Sequence, residues 1–158
     1  MADYVNNRLI ITCKDSEIKN KIKKMIFRNN EKNEQIFTMT KLLPVPEGLS
    51  ENPGYTEYGY DWCCAVWGTK WDVIYNKITE SGDSYIFNYD TAWDPNVLWV
   101  KALCRYIGLV SYPYKKNVSG EISITHFFCN EYEDFGTKME WTPDQGFQFT
   151  ENVSFFNR

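Results

Sequence analysis

One helical stripe bracketed by strand-like runs constrains this chain more than any other feature. Val100, Leu103, Cys104 and Ile107 recur at i, i+3, i+4 and i+7, the spacing of a single helix face. Asp94 suits the N-cap, and Pro95 suits the first helical position, where a missing N–H removes nothing. Gly108 fits the residue after the helix, with Leu109 as the hydrophobic contact of that ending. The pattern predicts a helix from Asp94 to Ile107. Before it, Trp71 to Ile78 and Ser84 to Thr91 read as two strands around the turn Glu80-Ser81-Gly82-Asp83. Tyr85, Phe87 and Tyr89 line one face of the second strand; Ile86, Asn88 and Asp90 line the other. After the helix, Glu121 to Cys129 alternates, with Ile122, Ile124 and Phe128 on one side. A closing hairpin is expected from Thr137–Trp141 and Phe147–Thr150 over Pro143-Asp144-Gln145-Gly146. No periodicity follows Glu151, where Phe155 and Phe156 are candidates for docking.

The N-terminal half repeats the alternation. In Asn7–Cys13 both faces carry an Ile, as in a central strand. Asp15 or Ser16 then caps a helix whose stripe is Ile18, Ile22, Met25 and Ile26. Lys19, Lys21, Lys23 and Lys24 take the rest of its circumference, which reads as a solvated face. Arg28 to Glu34 is polar and Asn-rich, a loop. Ile36 to Leu43 is a second strand, stopped by Pro44 and Pro46. Glu47 to Asp61 holds three tyrosines among Gly, Pro, Ser and Asn and reads as a long loop, a class that is often functional. A short helix or turn follows near Trp62–Val66.

Strand, helix, strand, strand pair, helix, strand and hairpin predict an α+β fold. The expected form is a ferredoxin-like, split βαβ antiparallel sheet, with two helices on one face and extra hairpins. At 158 residues, 43% hydrophobic and 24% charged, the chain suits one globular domain over residues 1–158. A net charge of −4 argues against broad nucleic-acid binding, which needs a cationic face. The five cysteines form no CxxC pair, no apolar run marks a leader, and no window is long enough to span a membrane. These features point to reduced thiols in a cytoplasmic protein. Of the adjacent pair Cys63-Cys64, one thiol is expected buried and one partly exposed.

Five patches, in order, resemble the YubB-like proteins of bacterial plasmids and phages. They are Asn7-Arg8-Leu9, Leu43-Pro44-Val45-Pro46, Trp67-Gly68-Thr69-Lys70-Trp71-Asp72, Thr91-Ala92-Trp93-Asp94-Pro95 and Glu133-Asp134-Phe135-Gly136. The hexapeptide at 67–72 is the most specific of them. The resemblance spans roughly residues 7–141. It departs at the helix start, where the family is richer in proline than Asp94-Pro95-Asn96. It implies a ferredoxin-like domain and a mobile-element origin, and it supplies no catalytic residues.

The chemistry centres on the aromatics near 62–93. Lys70 between Trp67 and Trp71 would make a cation–π contact. If Trp71 begins a strand, Lys70 and Asp72 share a face, a polar pair in an aromatic-walled pocket. Alternatively the two indoles fill the core while Thr69 and Asp72 tie the loop through local hydrogen bonds. Asp90, a carboxylate in a strand, is either an edge charge that blocks mispairing or a site residue. Trp93 would pack against the helix that follows it as a hydrophobic staple. Glu131, Glu133 and Asp134 match no calcium-loop register and read as a solvated turn. His126 alternates with Ile122 and Ile124, which suggests a half-buried structural role; a single histidine makes no multi-His metal site.

No phosphate loop, dinucleotide fingerprint or nucleophile elbow is present. The expected function is therefore a non-enzymatic binding module of a mobile element, with counter-defence within its scope and no cofactor implied. Its site would comprise Trp62, Trp67, Lys70, Trp71, Asp72, Tyr89, Asp90 and Trp93. Its partner would be a host protein or a small planar or anionic, nucleotide-like ligand, with no membrane involved. Two other readings stay open. One is a single-stranded nucleic-acid-associated protein, less favoured because the lysines sit on a helix behind the sheet. The other is a small enzyme using Asp90, Glu131, or Asp72 with Lys70.

Overall fold

A computed structural model describes residues 3–49, 53–111 and 122–154. The strands are β1 (Tyr4–Cys13), β2 (Phe27–Asn29), β3 (Gln35–Phe37), β4 (Ile74–Ser81), β5 (Ser84–Ala92), β6 (Ile122–Asn130), β7 (Phe135–Thr142) and β8 (Gly146–Ser154). The helices are α1 (Ser16–Ile26), α2 (Glu57–Val66) and α3 (Val97–Ser111), with a 3-10 turn at Pro53–Tyr55. Six strands form one antiparallel sheet in the order β4-β5-β1-β6-β7-β8, and β2 pairs with β3 in a separate two-stranded sheet. The fold is α+β.

β1 is central because both its edges are paired, with β5 on one side and β6 on the other. Leu9 lies opposite Phe87 of β5 and opposite His126 of β6. One face of the sheet presents Leu9, Ile11, Cys13, Phe87, Tyr89 and Ile124 to a single core. The stripe Ile18, Ile22 and Ile26 of α1 packs on that core, as do Trp99, Val100, Leu103, Cys104 and Ile107 of α3. Asp15 caps α1 by accepting from the Ile18 N–H at 2.9 Å. The opposite face, with Asn6, Arg8, Ile10 and Thr12 from β1, is half-buried.

Several sequence expectations are corrected here. Among the described residues a third helix, α2, takes the place of the short helix or turn expected near Trp62–Val66 and starts five residues earlier. The end of the supposed Glu47–Asp61 loop is helical from Glu57, because Thr56 caps α2 by accepting from the Gly59 N–H at 3.0 Å. The strand expected over Ile36–Leu43 stops at Phe37. Beyond it the backbone is claimed by side chains: the Met39 N–H by Asp72 and the Met39 carbonyl by the Trp99 indole. Part of the Arg28–Glu34 loop is strand β2, closed by Asn30, whose Oδ1 accepts from the Lys32 and Glu34 N–H groups. Phe27 and Phe37 carry this small hairpin onto Phe87, at ring distances of 5.6 and 5.1 Å.

α3 begins at Val97 rather than at Asp94, and it runs through Gly108 to Ser111. Asn96 sits just before it, but its side chain is spent in the core. Its Oδ1 accepts from the Tyr89 hydroxyl at 2.9 Å, and its Nδ2 contacts the Met39 sulfur at 3.4 Å. β8 continues to Ser154, past the point where periodicity fades. Phe155 and Phe156 lie outside the described residues. His126 is fully buried rather than half-buried, because the position opposite Leu9 faces the core. Cys63 is buried and Cys64 half-buried, and both are free thiols. Among the described residues no helix is long and apolar enough to cross a membrane.

Candidate functional site

The site is built where α2 returns to the sheet. The N–H groups of Trp67 and Gly68 both donate to the Cys63 carbonyl, at 2.8 and 3.2 Å, which closes α2. Gly68 takes φ +87, and a Cβ there would lie 3.3 Å from the Pro95 carbonyl oxygen. The chain then crosses the end of β5, where the Ala92 carbonyl oxygen accepts three donors. These are the Thr69 hydroxyl at 2.7 Å, the Asp94 N–H at 2.9 Å and the Lys70 N–H at 3.4 Å. The Asp94 bond spans Trp93 alone, at φ 71. This is a γ-turn of the positive-φ kind, which is strained for a bulky residue by about 1–3 kcal/mol. It throws the Trp93 indole outward, 42% exposed, instead of onto α3 as a staple.

Lys70 lies in this cluster. Its Nζ is 4.3 Å from the Trp93 ring centroid, 5.1 Å from Trp71 and 5.5 Å from Tyr60. Cation–π contacts of this kind contribute about 0.5–2 kcal/mol. Among the described residues Lys70 has no carboxylate at ion-pair distance. The expected pair with Asp72 does not form. Residues 67–72 are turn and bend, with β4 starting only at Ile74, so the two side chains need not share a face. Asp72 is spent on structure. Its Oδ1 accepts from the Val73 and Met39 N–H groups at 2.8 and 3.1 Å, and its Oδ2 from the Thr38 hydroxyl at 2.9 Å. Burial pushes its carboxyl up from the ordinary value, against the pull of those three hydrogen bonds and of the Arg28 charge.

Trp71 is half-buried and stacks on Tyr55, with centroids 5.1 Å apart and planes 12° from parallel. Gly54 makes the stack possible. A Cβ at that position would come within 2.6 Å of the Trp71 Cβ and 2.7 Å of the Lys70 carbonyl. Tyr55 and Trp71 wall a hollow of about 600 Å³ whose lining also includes Arg28, Thr40 and Asp72. Tyr55 also lines a shallower hollow of about 340 Å³, shared with Tyr60, Lys70 and Trp93.

Of the eight residues singled out from sequence, the structure gathers Lys70, Trp71 and Trp93 at an open surface. Trp67 is fully enclosed, its Nε1 donating to the Leu43 carbonyl at 3.1 Å, and Trp62 packs edge-on against it. Tyr89 is core, bonded to Asn96, and burial pushes its hydroxyl up. Asp90 lies on the sheet face away from the core. Desolvation raises its carboxyl, and the charge of Glu131 raises it further. Arg28, Thr40, Tyr55 and Tyr60 complete the hollows and were not singled out. The three tyrosines of the 47–61 segment were the available signal. Among the described residues no group of acidic, His or Cys side chains could hold a metal ion.

The fold and this surface define an α+β protein with an aromatic, lysine-bearing recess at one end of an antiparallel sheet. No family model matches the chain, and no curated protein matches it. Among solved structures, the crystal structure of api92 from Yersinia pseudotuberculosis, assigned to the family model DUF1281, aligns with a TM-score of 0.52 at 10% identity. The alignment covers 73% of this chain and 39% of that one, so the chain spans well under two thirds of its neighbour's length. At that identity the likeness is one of fold.

Proposed function

We propose that this chain is a non-enzymatic binding module for a small planar, anionic, nucleotide-like ligand, seated in the hollow walled by Tyr55 and Trp71. The observation that carries the reading is that hollow: about 600 Å³, within the range of ligand sites, with a stacked aromatic wall and a guanidinium in its lining. The stacked Tyr55–Trp71 pair supplies aromatic wall for a planar ring, and Lys70 and Arg28 supply positive charge near it.

The scaffold supports a ferredoxin-like reading. β1 lies between β5 and β6, and β4 lies beyond β5, as in a split βαβ sheet built from β1, α1, β4, β5, α3 and β6. On this reading residues 27–73 are an insertion between α1 and β4. Nearly every wall of the hollow comes from that insertion, so the site is an addition to the fold rather than a property of it. The motif resemblance set out above supports placing the chain among the YubB-like proteins of plasmids and phages.

The test is a titration of nucleosides and nucleotides followed by tryptophan fluorescence. Wild-type protein is expected to show saturable quenching. Trp71→Phe keeps a ring face and should keep most of the affinity; Trp71→Ala should lose at least about tenfold, the value of one stacked base. Binding that survives unchanged in a folded Trp71→Ala variant, or no saturable binding at all, refutes the reading.

A further inference from the structure

A second cavity adjoins the hollow, and its lining has one sign of charge. Lys23 and Lys24 from the last turn of α1, Arg28 from β2 and Lys41 line a groove of about 430 Å³ together with Asn20 and Asn29. None of the residues lining it is acidic. Three lysines elsewhere are paired with carboxylates: Lys19 with Glu80 at 3.1 Å, Lys21 with Glu17 at 4.0 Å and Lys138 with Glu140 at 3.0 Å. Among the described residues the four cations of the groove have no ion-pair partner.

A helix C-terminus favours basic residues, which accounts for Lys23 and Lys24. It does not account for Arg28 and Lys41, which reach the same groove from outside the helix. Four like charges gathered on a chain of net charge −4 make a local positive field that attracts an anion, although the Asp72 carboxylate already feels the charge of Arg28. Asn20 and Asn29 add neutral donors of the kind that bind phosphate oxygens. Arg28 lines both cavities, so the aromatic hollow and the basic groove meet at its side chain.

From this we infer that the groove is the phosphate subsite of the ligand: the planar base sits against Trp71 and the phosphate groups extend past Arg28 onto Lys23, Lys24 and Lys41. The inference rests on the reading of the hollow given above. The shared chemistry is a base carrying phosphates, whether as a free nucleoside polyphosphate or within a strand.

The experiment titrates the full chain, by calorimetry, with a nucleoside, the matching nucleoside triphosphate, inorganic triphosphate and a short single-stranded oligonucleotide. It does so in wild type and in Lys23→Gln/Lys41→Gln. Both lysines contact solvent, so the variant should fold normally. The double substitution should weaken the nucleoside triphosphate by about tenfold to a hundredfold, the loss of two charge-assisted contacts, and leave the nucleoside within about twofold. Inorganic triphosphate should bind weakly and with the same sensitivity. If the nucleoside triphosphate binds equally to both proteins while the nucleoside also binds, the groove is not a phosphate site and the hollow stands. If inorganic triphosphate binds through these lysines and no nucleoside does, the groove stands and the hollow reading fails. An oligonucleotide that binds tightest, through the same lysines and with steep salt dependence, keeps the subsite and identifies a strand as the phosphate source. No binding by any of the four overturns both.

Discussion

Asp72 is the residue whose replacement most sharply tests how the recess is held. Its carboxylate joins two segments with little regular structure: Thr38 and Met39 on one side, Val73 and the Lys70–Trp71 turn on the other. Asp72→Ala strands the Met39 and Val73 N–H groups and takes one of two partners from the Thr38 hydroxyl, which keeps Thr40 Oγ1 at 2.9 Å. Each donor left without a partner costs about 1–3 kcal/mol, and removing a desolvated charge offsets part of that. The expected net loss is about 4 kcal/mol. Asp72→Asn keeps Oδ1 for both N–H groups and replaces only Oδ2, whose partner Thr38 can turn its hydroxyl to accept. That variant should lose about 1 kcal/mol. With a urea m-value of about 2 kcal/mol/M, the midpoints should fall by about 2 M for Ala and about 0.5 M for Asn, at unchanged m. The pH dependence has a definite sign. The folded carboxyl titrates above its ordinary value of 3.8, so the protonated group favours the fold. That contribution is fully present below the unfolded value and is lost as pH rises through the folded one. Asp72→Asn should lack this component. An Ala variant within about 0.3 M of wild type, or an Asn variant as damaged as Ala, would refute the assignment of Asp72 to structure.

Two further predictions concern strain and burial. Trp93 holds φ 71, so Trp93→Gly relieves backbone strain that Trp93→Ala retains; Gly should be the more stable of the two by about 1 kcal/mol in urea melts, and equal stabilities would remove the strained turn from the account. His126 is enclosed against Tyr89 and Phe128, its Nε2 is paired with Asn7 Oδ1 at 2.9 Å, and burial holds its folded value down to about 3. Below the unfolded value of 6.5 the unfolded chain takes up a proton that the native state refuses, so stability present above pH 6.5 should fall by about 1 kcal/mol per pH unit on acidification. His126→Leu should flatten that slope between pH 6.5 and 5, and an unchanged slope would mean that the imidazole is accessible.

The centre of the sheet was legible because β1 and β5 alternate along almost their whole length and α1 carries a complete apolar stripe. Ile18, Ile22 and Ile26 repeat without interruption, and all three are buried. The region between α1 and β4 was not legible, because its order comes from side chains rather than from periodicity. Met39 is held by Asp72 and Trp99, more than thirty residues away in either case, and no window of sequence contains that pairing. Asp94 and Pro95 carry sound capping signals, yet the γ-turn at Trp93 claims the Asp94 N–H and delays the helix to Val97. That turn, with the Thr91 hydroxyl donating to the Asp94 carbonyl at 2.7 Å, overrode a capping propensity of about 1 kcal/mol. Lys70, Trp71 and Trp93 could be singled out from composition and spacing; Arg28 could not, since it lies in a stretch read as an ordinary polar loop.

The fate of the tryptophans shows why spacing alone cannot separate core from site. Trp67 and Trp71 are four residues apart in one motif, yet only the first is fully buried. What divides them is the indole N–H. A buried donor needs an acceptor, and Trp67 and Trp99 find theirs in the Leu43 and Met39 carbonyls, at 3.1 Å each. Both acceptors lie in the same irregular stretch, so these two rings hold the 38–43 segment on the core while filling it. Each buries on the order of 200 Å², worth about 5 kcal/mol before entropy costs, which is ample to fix a segment that has no ladder of its own. Trp71 and Trp93 have no such acceptor among the described residues, and their rings lie against Tyr55, Tyr60 and Lys70 at the surface. The buried pair therefore holds the frame on which the surface pair is presented. A ligand bound against the Tyr55–Trp71 pair, as proposed above, would meet a wall already in place, its ordering cost met when the core formed.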